Sequence, residues 1–158
     1  MTSEDRPAYA LPLLLLDGFR TIIDNLHREL ARQGHPDVRP VHGFALQAIG
    51  RGSGTVTELA RALGVSKQAA AKTVRGLEQL DYIERAVDPA DRRSQRLVLT
   101  GRGTEVLSLS ATALTAVRAS WVNRLGASAV DDLEGALETV VGRPDVAGTM
   151  DLPGWLSG

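Results

Sequence analysis

The sequence predicts a mainly α-helical protein with a small β-hairpin wing. More closely, it predicts a winged helix-turn-helix flanked by long N- and C-terminal dimerisation helices. Three observations predict this. Long segments at both ends repeat apolar residues at spacings of three and four. Between them, two short helical patterns meet at Gly64, each preceded by a capping residue, Thr55 or Ser66. Directly after these come two short strand-like runs joined by Asp88-Pro89-Ala90-Asp91, which is turn chemistry.

The first helix is expected over residues 9–32. Leu16, Phe19, Ile23, Leu26 and Leu30 form its seam, and Gly34, His35 and Pro36 end it. Pro40 suits the first turn of a second helix, with Val41, Phe44, Ala45 and Ala48 on one face. Arg51-Gly52-Ser53-Gly54 is a loop. Thr55 with Glu58 three residues later is a capping box that opens a short helix. Gly64 stops that helix, and Ser66 caps the next, which runs to about Leu80. Strands are expected over 82–87 and 96–99. Thr100 caps a long helix to about Leu125, with Leu107, Leu114, Val117 and Trp121 along it. Gly126 breaks it. Ser128 is expected to cap a last helix carrying Val130, Leu133, Leu137 and Val140. The division is therefore 1–36 for the first dimerisation helix, 37–100 for the winged lobe, 101–142 for the C-terminal dimerisation helices and 143–158 for a Gly- and Pro-containing tail. The outer seams exceed what so small a central unit can cover, so they bury each other or a second copy of the chain.

Composition narrows the function classes. The chain has 158 residues, 43% hydrophobic and 23% charged, which suits one globular unit with a real core. It has no cysteine, which excludes a disulfide scaffold, a thiol redox sensor and a cysteine zinc site. Its formal net charge of −1 excludes a protein that coats nucleic acid through bulk charge, though not one with a local basic face. The apolar run over 8–16 is too short to span a bilayer. Its flanks, with Glu4 and Asp5, are wrong for an export signal, so a cytoplasmic protein with no membrane partner is expected.

The helix opened by Ser66 has two faces. Lys67, Gln68, Ala71, Lys72, Arg75 and Gln79 fall within an arc of about 140° at helical spacing. Ala70, Thr73, Val74, Leu77 and Leu80 fall opposite. Both lysines of the protein lie on the polar face. A helix that reads the major groove needs this division: an apolar back for docking, and donors in front for phosphates and base edges. A merely solvated face would look the same in isolation. The hairpin tip, Asp91-Arg92-Arg93-Ser94-Gln95-Arg96, adds a second basic feature next in sequence. Arginine suits a narrow minor groove, and Asp91 can hold the loop and orient a guanidinium.

Glu58-Leu59-Ala60, Leu63-Gly64-Val65-Ser66, Tyr82-Ile83-Glu84-Arg85, Asp88-Pro89-Ala90-Asp91-Arg92-Arg93 and Leu97-Val98-Leu99-Thr100 resemble the MarR family of transcription regulators. The resemblance extends over residues 9–141. It implies a homodimer built by the first and last helices. It implies a recognition helix starting at Ser66 in the major groove. It implies Arg93 in the minor groove with Asp91 bracing it, and Arg92 facing phosphate. It also implies a repressor that releases double-stranded DNA when a small aromatic or phenolic ligand binds between the dimer helices and the DNA-binding lobe. The tail over 143–158 has no counterpart in the family pattern.

The remaining residues are less telling. His27, His35 and His42 are spaced by eight and seven, unlike a compact metal site, so no metal and no cofactor is expected. His42 is a candidate hydrogen-bonding group for a ligand, and Trp121 a candidate pocket wall, although an aromatic on an apolar stripe is more often core. Trp155 sits in the tail. No nucleophile triad, phosphate loop or dinucleotide fingerprint appears, so an enzyme is not expected. Gly101-Arg102-Gly103 reads as a helix opening without further meaning. The expected function is a ligand-responsive repressor acting on a near-palindromic operator. Two alternatives stand beside it: a winged helix that binds another protein instead of DNA, and a metal-responsive regulator of the same fold.

Overall fold

The structure, a computed structural model, describes residues 6–142. The tail with Trp155 lies outside the described residues. Six helices and one antiparallel hairpin follow one another among them: α1 (Ala10–Arg32), α2 (Pro40–Gly50), α3 (Val56–Leu63), α4 (Lys67–Gln79), β1 (Ile83–Val87), β2 (Gln95–Leu99), α5 (Gly101–Leu125) and α6 (Ala127–Val141). This is the mainly α winged helix-turn-helix that the sequence predicts.

Local chemistry sets the boundaries. Thr55 Oγ1 accepts the Glu58 N–H at 3.1 Å, and Glu58 Oε2 accepts the Thr55 N–H at 3.1 Å, so the capping box forms. Gly64 ends α3 in the left-handed region at φ +63°, which a glycine adopts without a Cβ clash. Ser66 Oγ accepts from Ala69 N at 3.1 Å, and Thr100 Oγ1 from Gly103 N at 3.1 Å. Two of the differences from the expected boundaries have a local cause. The last helix starts at Ala127 with Gly126 as its cap, and Ser128 lies inside the first turn, its hydroxyl 3.5 Å from Asp132 Oδ2. The first strand starts at Ile83, because the Tyr82 N–H is taken by Leu77 O at 2.9 Å in the closing turn of α4. Asp81 makes that turn at φ +60°, a conformation a short polar side chain tolerates.

The core lies in the winged lobe. Leu59 and Leu63 of α3 and Ala70, Val74 and Leu77 of α4 are buried with Ala45, Leu46 and Ile49 of α2 and Leu97 of β2. α5 packs along α1, with Phe19, Leu26 and Leu30 on one side and Val106, Leu107 and Leu109 on the other. Tyr82, fully buried, joins the two layers. Its hydroxyl lies 3.1 Å from His35 Nδ1 and accepts from Arg102 Nη2 at 3.3 Å, while the Arg102 guanidinium sits 4.9 Å from the ring centroid. Arg102 also donates to Gly34 O at 3.1 Å. The same junction explains Gly103, which the sequence left without meaning. The Tyr82 carbonyl, which accepts Thr100 N–H at 3.1 Å, occupies the space where a Cβ on residue 103 would stand.

The outer helices are only partly covered. α6 buries Val130 and leaves Leu133, Leu137, Val140 and Val141 exposed, Val140 by 84%. Leu11, Leu13, Leu14 and Leu15 of α1 are exposed as well. Among the described residues, the seams of the outer helices are therefore not fully covered.

Gly103→Ala should lower unfolding free energy by about 2 kcal/mol through overlap with rigid backbone. Tyr82→Phe should cost about 1–3 kcal/mol by stranding the His35 ring nitrogen. Denaturant titration checks both, and wild-type stability in either variant would contradict the junction.

Candidate nucleic-acid interface

The lobe's cations sort by whether a carboxylate answers them. Arg85 of β1 bonds Glu78 of α4 at 2.8 Å. Arg96 of β2 bonds Glu58 of α3 at 3.1 Å, with Asp88 at 3.8 Å. These pairs fasten the hairpin to the helix-turn-helix. Lys67, Lys72 and Arg75 of α4, and Arg92 and Arg93 of the hairpin turn, form no ion pair among the described residues and are exposed.

The predicted two faces of α4 are realised. Ala70, Thr73, Val74 and Leu77 are buried, whereas Lys67, Gln68, Lys72, Arg75 and Gln79 face solvent. Ala71 is half-buried between them. Ser66 stands at the tip of this helix. Its oxygen accepts the Ala69 N–H, which leaves the hydroxyl proton free to meet an acceptor such as phosphate.

The turn is a chain of side-chain-to-backbone bonds. Asp88 Oδ1 accepts the Ala90 N–H at 2.8 Å, and Asp91 Oδ1 accepts the Arg93 N–H at 3.0 Å. Asp88 N donates to Ser94 O at 3.0 Å and Ser94 N to Asp91 O at 2.9 Å. Asp91 therefore fixes the main chain at Arg93, and no ion pair joins it to the Arg93 guanidinium. Arg92 and Arg93 project from a loop whose backbone is held while their side chains remain free to bind. Sequence reasoning missed the clamp at Arg96. The residue was read only as part of a basic tip, because its partners lie 38 and 44 residues away.

The three histidines have separate surroundings. His42 caps α2: its Nδ1 accepts the Arg39 N–H at 3.2 Å, and its own N–H bonds Arg39 O at 2.9 Å. Burial, the Arg39 guanidinium and the His27 ring lower its pKa to about 4, so the ring is neutral near pH 7. His27 donates from Nδ1 to Ile23 O at 3.0 Å, and burial lowers its pKa too. Buried His35 faces Tyr82, and its Nε2 lies 3.4 Å from Glu105 Oε2 without a hydrogen bond. Among the described residues, no three His, Cys, Asp or Glu side chains converge as metal ligands.

A cavity of about 80 Å³ opens between α1, α2 and α5. Its walls are mostly apolar, including Ile23, Phe44, Leu107 and Leu114, with His27, Gln47 and Ser110 as polar groups. His42 and Trp121 lie outside it. Trp121 borders a separate depression with Arg124 and Leu125, and Gly18 of α1 makes room beside its ring.

A family model described as the MarR family matches residues 37–94. Solved structures share the fold. MarR from E. coli, in its reduced form, is 22% identical with a TM-score of 0.69, covering 86% of this chain and 99% of that one. YusO from Bacillus subtilis is 22% identical with a TM-score of 0.63, covering 88% and 100%. MepR of S. aureus bound to ethidium bromide is 18% identical with a TM-score of 0.60, covering 88% and 97%. No curated protein matches the chain in sequence. No helix among the described residues is long and apolar enough to cross a membrane.

Two outcomes follow from these charges. With a folded pKa of about 4 against 6.5 unfolded, His42 makes the unfolded chain bind more protons between those values. Stability should therefore fall as pH drops from 6.5, losing up to about 3 kcal/mol by pH 4. His42→Gln keeps a capping acceptor and should flatten that loss in melting curves; an unchanged pH profile would contradict it. On random duplex DNA, Lys72→Ala should reduce the slope of log K against log salt by about one, and an unaltered slope would remove Lys72 from the interface.

Proposed function

We propose that this chain, whose winged helix-turn-helix lobe is of the MarR family, is a sequence-specific transcription regulator. It binds double-stranded DNA as a homodimer in the cytoplasm, and it represses until a small ligand releases it. It acts by binding, not by catalysis. The observation that carries this reading is the set of five exposed cations on α4 and the hairpin turn that form no ion pair among the described residues.

The roles follow from position. Lys67, Gln68, Lys72 and Arg75 meet phosphates and base edges in the major groove, with Ser66 donating to phosphate at the helix tip. Arg93 enters the minor groove from a turn that Asp91 holds, and Arg92 meets the backbone. The uncovered leucines of α1 and α6 pack against the same helices of a second copy, which makes the dimer two-fold. Two-fold symmetry sets the reading helices about 34 Å apart and calls for a near-palindromic operator.

The ligand reading rests on the cavity between α1, α2 and α5. MepR of S. aureus, of the same fold, is bound to ethidium bromide, a planar aromatic molecule. At about 80 Å³ the cavity is smaller than a drug-sized ligand needs. Binding would wedge α2 away from α1 and α5, and α2 packs on α3 and α4. An aromatic or phenolic ligand thereby shifts the reading helices out of register.

A gel shift with the DNA upstream of the chain's own gene should give a retarded band that weakens with salt. Arg93→Ala should lose about 1–3 kcal/mol of affinity for it. Absence of salt-dependent binding to any duplex, with or without ligand, would favour a protein-binding module instead.

A further inference from the structure

We propose that Arg96 is the positioning residue of the wing: it sets the hairpin's height against the helix-turn-helix and so determines whether Arg93 reaches the minor groove. This rests on the DNA-binding reading above and adds to it a residue that acts on DNA without touching it.

A two-stranded hairpin is marginal alone, so something must fix its angle. β1 is tied to α4 by Arg85 and Glu78. β2 is tied on the other side by Arg96. Its Nη2 donates to Gly52 O at 2.6 Å and to Glu58 Oε2 at 3.1 Å, and its Nη1 stands 3.8 Å from Asp88 Oδ2. One guanidinium thus links the α2–α3 loop, the start of α3 and the base of the turn that displays Arg93. Glu58 Oε2 is itself fixed, because it accepts the N–H groups of Gly54 at 2.8 Å and Thr55 at 3.1 Å. The planar fork of arginine fits these diverging acceptors, and lysine would not.

Gly54 completes the seat. The guanidinium fills the space that a side chain on residue 54 would need. Next to it, Leu97 N donates to Gly54 O at 2.8 Å, so the loop continues the hairpin's ladder. The Arg96 side chain is 32% exposed and faces these internal acceptors, unlike Arg92 and Arg93. Because the atoms in conflict are the far end of a flexible side chain, Gly54→Ala should displace Arg96 and leave the fold intact.

The test has two arms, each with Arg96→Gln and Gly54→Ala in the full chain, and circular dichroism to verify folding. The first arm uses no DNA. Hydrogen exchange over 95–97 should speed up roughly tenfold or more in both variants as the Leu97 amide loses its lock. Unchanged exchange overturns the proposal. The second arm uses a duplex selected from a random pool by the wild-type protein. Both variants should bind it roughly tenfold more weakly, the effect of losing a wing arginine. Minor-groove protection should vanish while guanine protection in the major groove persists. Adding Arg93→Ala to Arg96→Gln should cost nothing further, since the two act through one contact. Additive losses would make Arg96 a DNA contact and overturn the positioning role, as would unchanged affinity. If the wild-type protein selects no duplex, the DNA-binding reading fails, and the exchange arm still decides whether Arg96 holds the wing.

Discussion

Four segments meet at the Tyr82 side chain and carbonyl, and the geometry of the lobe depends on that meeting. The ring is buried where α4 ends and β1 begins, which fixes α4 to the wing. The hydroxyl engages His35 of the α1–α2 loop and Arg102 of α5, which fixes both to the outer helices. The carbonyl receives Thr100 N and presses on Gly103, which sets where α5 departs. A tyrosine serves here because one end is apolar and the other meets two partners. The outer helices, α4 and the wing thereby form one connected frame. The proposed displacement of α2 by a ligand would be consequential for that reason: the lobe has little freedom to absorb it locally.

On this frame, charge is divided by partner. Between residues 51 and 102 there are ten basic and six acidic side chains, against a whole-chain net charge of −1. Glu58, Glu78 and Asp88 are taken up by Arg85 and Arg96, which hold the wing. Asp91 is taken up by the turn backbone. The carboxylates that would have neutralised α4 and the wing tip are thus engaged in architecture, and Lys67, Lys72, Arg75, Arg92 and Arg93 are left facing water. Arginines that look alike in composition perform opposite tasks. Arg85 and Arg96, each with an internal carboxylate, hold the wing, whereas Arg75, Arg92 and Arg93 face solvent.

Much of the fold was legible in the sequence because its signals are local. Thr55 with Glu58, Gly64, Ser66 and Thr100 each act within four residues, and each marks a boundary where the helix begins or ends. The polar and apolar faces of α4 follow from helical period alone. The unread parts depend on distant neighbours. Arg96 meets Gly52 and Glu58 across the α3–α4 unit, Gly103 meets Tyr82 across the whole wing, and no periodicity reports either. Ser128 is not the cap because Gly126, at φ +89°, starts the helix two residues too early for it. His42 is an instructive middle case. A histidine three residues after Arg39, at the head of a Pro-initiated helix, is positioned to accept the capping N–H, which is a local signal. The sequence alone suggests that Asp91 holds the loop and orients a guanidinium. It bonds the backbone at Arg93, and no ion pair joins it to that side chain.

On the proposed function, the exposed cations of α4 and the wing address DNA from a two-fold dimer. Chemical footprinting on a duplex the protein selects tests this most directly. Such a dimer gives two symmetric segments of major-groove guanine protection centred about 10 base pairs apart, each accompanied by a minor-groove contact from the wing. Protection of phosphates alone, or of a single half-site without symmetry, would contradict it.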